Sequence, residues 1–149
     1  MKIRNALPSL PLTCLLATAL LTVTIAQERS PRRGLPELPE AITSFGAAVE
    51  GEHLYIYSGH VGKAHDYSIE NYSEHFRRIN LNWSGGWEEL PMQDPVQGSA
   101  LVAYDGALYR VGGVHSKNER KELEDMHSTD HFARFDPKEK NGLFAKSCG

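Results

Sequence analysis

The stretch LYIYSGH at 54–60 returns 54 residues later as LYRVGGVH at 108–115, with Leu54, Tyr55 and Gly59 matched by Leu108, Tyr109 and Gly113. A repeat of this length constrains the fold more than composition does. A single copy cannot bury both of its apolar faces, so copies have to stack on one another.

Alternating side chains and turn residues divide the first copy into four strands. Residues 45–50 are short and apolar, and Glu50-Gly51-Glu52 is a turn. Residues 53–59 carry aromatic and β-branched side chains, which suit a pleated strand. A polar loop at 60–73 leads to a third strand at 74–80, with Phe76 and Ile79 as packing residues, and a short fourth strand at 87–90 is closed by Pro91. The second copy runs through 99–104, a turn at Asp105-Gly106, 107–113, a loop at 114–129 and a third strand at 130–136. Phe76 and Arg78 map onto Phe132 and Arg134 with an offset of 56. No segment carries a sustained helical period with caps. Residues 117–128, KNERKELEDMHS, offer only Leu123 and Met126 to an apolar face, so an exposed charged loop with at most one helical turn is expected there. The reading is an all-β chain of antiparallel four-stranded units at 41–95 and 96–137.

Apolar strand, Asp-Gly turn, Leu-Tyr-x-Val-Gly-Gly, loop, aromatic-bearing strand and Trp-x-x-Leu-Pro together resemble the kelch repeat. LVAYDGALYRVGG (101–113) carries the first half and WEELP (87–91) the closing half, and the likeness covers about residues 35–137. Ser58-Gly59 stands in the first copy where the second has Gly112-Gly113. The resemblance implies a kelch-type β-propeller, in which twisted four-stranded blades pack face to face around an axis. It implies that Tyr55, Tyr109 and Trp87 pack between blades. It also implies that Gly59, Gly112 and Gly113 end the second strand, where positive φ and a missing Cβ are needed.

Past residue 137 the likeness stops. An offset of 56 takes Trp87 to Leu143 and Leu90 to Lys146, and the tail EKNGLFAKSCG has neither tryptophan nor Leu-Pro. The second blade is therefore expected to be incomplete, lacking its fourth strand, with 138–149 irregular. Two blades fall short of the roughly four to eight that close a ring, and an incomplete blade makes a poor unit for self-assembly. The expectation is a truncated piece of a larger propeller, whose remaining blades are partners.

Lys2 and Arg4 precede an uncharged apolar run at 12–26, and Thr24 and Ala26 are small residues ahead of Gln27. That layout predicts a signal peptide over 1–26 and an exported, secreted or periplasmic chain. If uncleaved, residues 7–26 would serve as a membrane anchor, although Pro8 and Pro11 shorten the apolar helix. Cys14 lies too early in the apolar run, behind Leu12-Thr13, to match a lipid-anchoring cleavage site. Residues 27–40, which include QERSPRRGLPELP, read as a linker. Two of the 16 basic residues and none of the 19 acidic ones lie in 1–26, so removing them shifts the formal charge from −3 to −5. A mildly acidic chain has no electrostatic footprint for nucleic acid. Cys148 then stands as a lone cysteine, and no disulfide can form within the chain.

Seven histidines raise the question of a metal. His60 and His65 share a loop with Asp66, and His115 follows the matching strand, so these three are candidate loop contacts. Their spacing fits no zinc signature and no metal is assigned. His75 and His131 sit beside Phe76 and Phe132, which points to packing. Arg77, Arg78 and Arg134 are expected to pair with Glu74, Asp130 or other acids along the blade edge. Asn71-Tyr72-Ser73 and Asn82-Trp83-Ser84 fit the glycosylation pattern. Some enzymes on the kelch scaffold resemble galactose oxidase and need a cysteine joined to tyrosine, but here Cys14 lies in the leader and Cys148 in the tail. Ser58 and Ser99 lack a Gly-x-Ser-x-Gly setting. No catalytic residue and no cofactor is expected. What remains is a binding scaffold that meets a protein or polar ligand through loops 60–73 and 114–129. The alternatives are a truncated product without independent function and the remnant of an oxidase-type enzyme.

Overall fold

Tight turns at Gly51 (φ 56°) and Gly106 (φ 74°) fold each copy's first two strands back on each other. In the computed structural model the described residues are 36–82, 85–139 and 145–146. Among the described residues ten strands run in order: β1 (Gly46–Glu50), β2 (His53–Tyr57), β3 (Phe76–Asn80), β4 (Glu88–Leu90), β5 (Ala100–Tyr104), β6 (Ala107–Val111), β7 (Val114–Ser116), β8 (Met126–Ser128), β9 (Phe132–Phe135) and β10 (Ala145–Lys146). They form one sheet ordered β1-β2-β3-β4, a second ordered β10-β9-β6-β5, and the pair β7-β8. All pairings are antiparallel, and the described helix is a single 3-10 turn, Ile69–Asn71. The fold is all-β.

Pairing carries the sequence period into space. Tyr57 lies opposite Gly46 and Phe76, and Val111 lies opposite Ala100 and Phe132. Leu54 faces Ile79 across β2 and β3 as Leu108 faces Phe135 across β6 and β9. The offsets of 54 and 56 thus hold as register.

Two expectations about the second copy are corrected. It does have a fourth strand: Ala145 pairs with Arg134 and Lys146 with Ala133. Arg77 pairs with Glu89 in the first sheet, so the offset here is 57 rather than 56. Backbone donors and acceptors along the open edge of β9 recruit this strand without a Trp or a Leu-Pro, because ladder bonds do not depend on side-chain identity. Under that offset Phe144 holds the sequence position of Trp87, and it lies outside the described residues. The second correction concerns the ends of 114–129, which pair as β7 and β8 with His115 opposite His127, while the charged residues 117–125 between them form the expected, largely exposed loop.

The two large sheets pack face to face. Ala48, Tyr55, Tyr57, Phe76 and Leu90 of the first meet Leu101, Ala103, Leu108, Ala133 and Phe135 of the second, with Val96 and Met92 between them. Phe76 stands edge-on to Phe135 at 4.9 Å and 5.3 Å from Tyr57, measured between ring centres. Buried aromatics of this kind supply about 1.5–3 kcal/mol each, so this layer is the main source of stability. A Cβ at Gly46 would meet Leu101 Cβ and Ser99 Oγ at 3.2 Å, marking where β1 and β5 come closest.

Each sheet has a second face. On the second sheet Val102, Tyr104, Val111 and Phe132 are exposed, with Tyr109 half-buried between them. Tyr109 stacks on Phe132 at 5.6 Å and meets Tyr104 at 6.4 Å. On the first sheet the other face is flanked by residues 36–40. These are not a free linker: Trp87 Nε1 donates to the Glu37 carbonyl at 2.9 Å, and the Glu40 carboxylate accepts from Ser73 Oγ at 2.5 Å. Trp87 therefore does not pack between the two described sheets. Strand alternation turns it to the opposite face, where it lines an apolar groove of about 480 Å³ with Leu38, Phe45, Leu54 and Ile56. The signal, anchor and Cys14 readings at 1–26, residues 27–35 and Cys148 lie outside the described residues. Among the described residues no helix is long and apolar enough to cross a membrane.

Candidate functional site

Loops 60–73 and 114–129 leave the same end of adjacent sheets, because each follows the second strand of its copy. The first is shaped from within. Asn71 is buried, accepts from Ser68 Oγ and donates to the Val61 carbonyl at 3.1 Å. That use of both ends of the amide takes the first glycosylation motif out of reach on the folded chain, whereas Asn82 in the second is exposed.

Asn118 joins the two loops. Its Nδ2 donates to the Tyr67 carbonyl at 2.8 Å, its carbonyl accepts the Ile69 N–H at 3.0 Å, and its Oδ1 accepts the Asp125 N–H at 2.9 Å. The Tyr72 hydroxyl and Ser116 Oγ bond at 2.9 Å, and the Arg120 N–H points to Glu70 Oε1 at 3.4 Å. The Ser68 hydroxyl and the Glu70 backbone N–H hold the Glu70 carboxyl below the usual range. Sequence reasoning missed Asn118, since a lone asparagine inside a charged run carries no motif. The resulting surface presents Ile69, Met126 and Leu123, the last 92% exposed, among Glu119, Arg120, Lys121, Glu122 and Glu124.

The histidines separate into two places. His60 is buried, bonds the Asp66 carbonyl at 3.1 Å and meets the Tyr67 ring at 5.4 Å. His65, at φ 62°, lies 3.4 Å from the Tyr67 hydroxyl. His115 instead stacks on His127 across the β7-β8 hairpin at 5.9 Å. It lines a different hollow of about 240 Å³ with Asp94, Val96, Thr129 and His131. Tyr67 and the hairpin thus divide the three expected loop contacts. Among the described residues no group of three or more His, Cys, Asp or Glu side chains is placed to hold a metal.

Beside that hollow the Asp94 carboxylate lies 3.5 Å from both Arg110 Nη2 and His131 Nδ1. Arg110 is only 1% exposed, sits 5.3 Å over the Tyr57 ring, and leaves Nε and Nη1 without a partner among the described residues. Tyr57 donates its hydroxyl to the Gln93 carbonyl. Burial pushes its phenol up to about 12, against the pull of Arg110.

The third-strand arginines pair with acids along the sheet, as expected, but with neither Glu74 nor Asp130. Arg77 meets Glu89 at 2.5 Å and Glu40 at 3.6 Å, Arg78 meets Glu88 at 2.7 Å, and Arg134 meets Asp136 at 3.1 Å. Cross-strand register, not proximity along the chain, chooses Glu88 and Glu89 over Glu74. His75 and His131 face carboxylates, Glu89 at 3.1 Å and Asp94 at 3.5 Å, rather than packing. The structural positions Tyr55, Gly59, Gly112 and Gly113 lie at the ends and centre of the second strands: Tyr55 is buried between the sheets, and the glycines have φ of 121°, 62° and 122°.

No family model matches the chain, and no curated protein matches it.

Proposed function

We propose that this chain is a segment of a kelch-type β-propeller that works, once exported, as an interaction scaffold. Its protein partner binds the surface made by loops 60–73 and 114–129. One observation carries the reading: Asn118 fixes two loops from successive repeats into a single surface, from which an apolar side chain, Leu123, projects among charges. Exposed apolar anchors inside a polar rim are what protein interfaces use. The propeller assignment is supported by the repeated register of the two sheets and by matched backbone angles, φ 121° at Gly59 and 122° at Gly113.

A photo-crosslinking residue placed at Leu123, with a control at the exposed β1 residue Val49, tests the assignment in the exported fraction of the producing cells. A discrete adduct at Leu123 and none at Val49 is expected. The same bands from both positions, or none from either, would remove the binding role from this surface. Export itself predicts a mature protein that begins at Gln27, read by N-terminal sequencing; a product that retains Met1 counts against it.

A further inference from the structure

We propose that copies of this chain associate head to tail, the outer face of the second sheet of one copy seating in the groove on the first sheet of the next. The template is inside the molecule. The first sheet presents Tyr55, Tyr57 and Phe76 to the second, and the register-equivalent residues of the second sheet are Tyr109, Val111 and Phe132. Val111 is 44% exposed and Phe132 39%, so this face has the chemistry of a buried layer and lacks its cover. The face that provides such cover within the chain carries Leu101, Leu108 and Arg110, and its equivalents on the first sheet are Ala47, Leu54 and Ile56. Those three line the apolar groove.

Side-chain sizes are matched pair by pair. Within the chain Gly46 meets Leu101; between copies Ala100 would meet Ala47, one methyl added on one side and a branched side chain removed on the other. Within the chain Tyr57 lies under the Arg110 guanidinium; between copies Val111 would meet Ile56, an aliphatic pair replacing a cation–π pair.

The segment along the groove belongs to the same scheme. Thr43 bridges His60 as Gln97 bridges Val114, an offset of 54 in both partners. Residues 36–43 therefore correspond to 90–97, whose Leu90, Met92 and Val96 pack in the internal layer, and they form part of a socket rather than a plug. The second sheet also has its fourth strand, which removes the incompleteness that argued against a repeating unit. Two aromatic faces meeting each other would leave the groove empty and bring no aliphatic surface to either. A head-to-tail contact instead leaves one face and one groove free, so association continues past two copies.

The test uses the full chain and two substitutions at exposed positions. Val111→Glu charges the face and would also approach Glu40 of the next copy, while Ala47→Glu charges the groove. Sedimentation velocity over a concentration series should show dimers and larger species for the parent chain. Either variant alone should associate at least ~100-fold more weakly, the consequence of burying an unpaired charge. Mixed in equal amounts, the two variants keep one intact face and one intact groove, and should form a dimer that grows no further. Val102→Lys and Phe45→Lys replace them if circular dichroism shows lost sheet. A parent chain that stays monomeric, or a mixture that does, overturns the proposal. So does an Ala47→Glu protein that still dimerises, which would mean face-to-face contact. Association through residues 12–26 would survive both substitutions and equally counts against it.

Discussion

Replacing the two glycines of 112–113 by small side chains should give very unequal losses. Gly112 lies at φ 62°, and a Cβ there would meet only the Thr129 carbonyl, at 3.5 Å. The left-handed region costs an ordinary residue about 1–2 kcal/mol. Ser58, the counterpart in the first copy, already adopts it at φ 47°. Its hydroxyl donates to the Ser73 carbonyl and accepts the Val96 N–H, both at 2.9 Å. Gly113 lies at φ 122°, outside that region, and a Cβ would come within 2.9 Å of Val96 Cγ2, a buried side chain. Gly59 repeats the pattern at φ 121°, with the Thr43 carbonyl oxygen at 2.6 Å. Gly112→Ser should therefore cost about 1–2 kcal/mol. Gly113→Ala combines backbone strain of about 1–3 kcal/mol with overpacking of about 1–3 kcal/mol, or about 2–6 kcal/mol in all. Against a total stability of about 5–15 kcal/mol that difference is easily resolved. Urea unfolding followed by circular dichroism gives both values, provided the slope against denaturant is unchanged. Equal losses, or a Gly113→Ala protein within about 1 kcal/mol of the parent, would refute the reasoning.

Other expectations rest on single side chains. Of six tyrosines, Tyr57 has its phenol raised to about 12, so its neutral form is favoured by folding. The stability this adds is complete below the unfolded phenol's value near 10 and is lost as pH rises through about 12. Absorbance titration should show a late phenol that Tyr57→Phe removes; six phenols ionising together would contradict it. Arg110→Met should be neutral or stabilising by about 1–2 kcal/mol, because the buried guanidinium has one 3.5 Å contact to an exposed carboxylate. A loss above about 3 kcal/mol would show that its charge is well paired. Asn118→Ala should cost about 1–3 kcal/mol and speed hydrogen exchange at Asp125, whose N–H loses its acceptor, while Ile69, bonded to the retained backbone carbonyl, and the β2 amides stay protected; uniform acceleration would mean that Asn118 does not act locally.

The two large sheets were legible because their strands alternate side chains over four or five residues and are punctuated by Gly51 and Gly106. Elements built from backbone or polar contacts were not. Val114-His115-Ser116 and Met126-His127-Ser128 show no apolar alternation, so the β7-β8 hairpin was invisible in a charged run. β10 is held by the edge of β9 and carries no repeat motif. The segment 36–40 looked like a linker because its role rests on a backbone carbonyl and a carboxylate, neither of which leaves a pattern. Trp87 was picked out by residue type, but which face of its sheet it takes depends on β4 register, which residue type does not reveal. At the loop surface His60, His65 and His115 drew attention by chemistry. Asn118, which organises that surface, gave no sign until Tyr67, Ile69 and Asp125 were brought to it.

The stacking of the two sheets is the claim on which the rest depends, and a double-mutant cycle on Phe76→Leu and Phe135→Leu measures it most directly. The rings meet edge-on at 4.9 Å although they belong to different sheets. Such pairs couple by about 0.5–1.5 kcal/mol. Coupling in that range for Phe76 with Phe135, together with none for Phe76 with the outward-facing Phe132, is the predicted result. Additive losses for Phe76 and Phe135 would mean that the sheets do not meet as described.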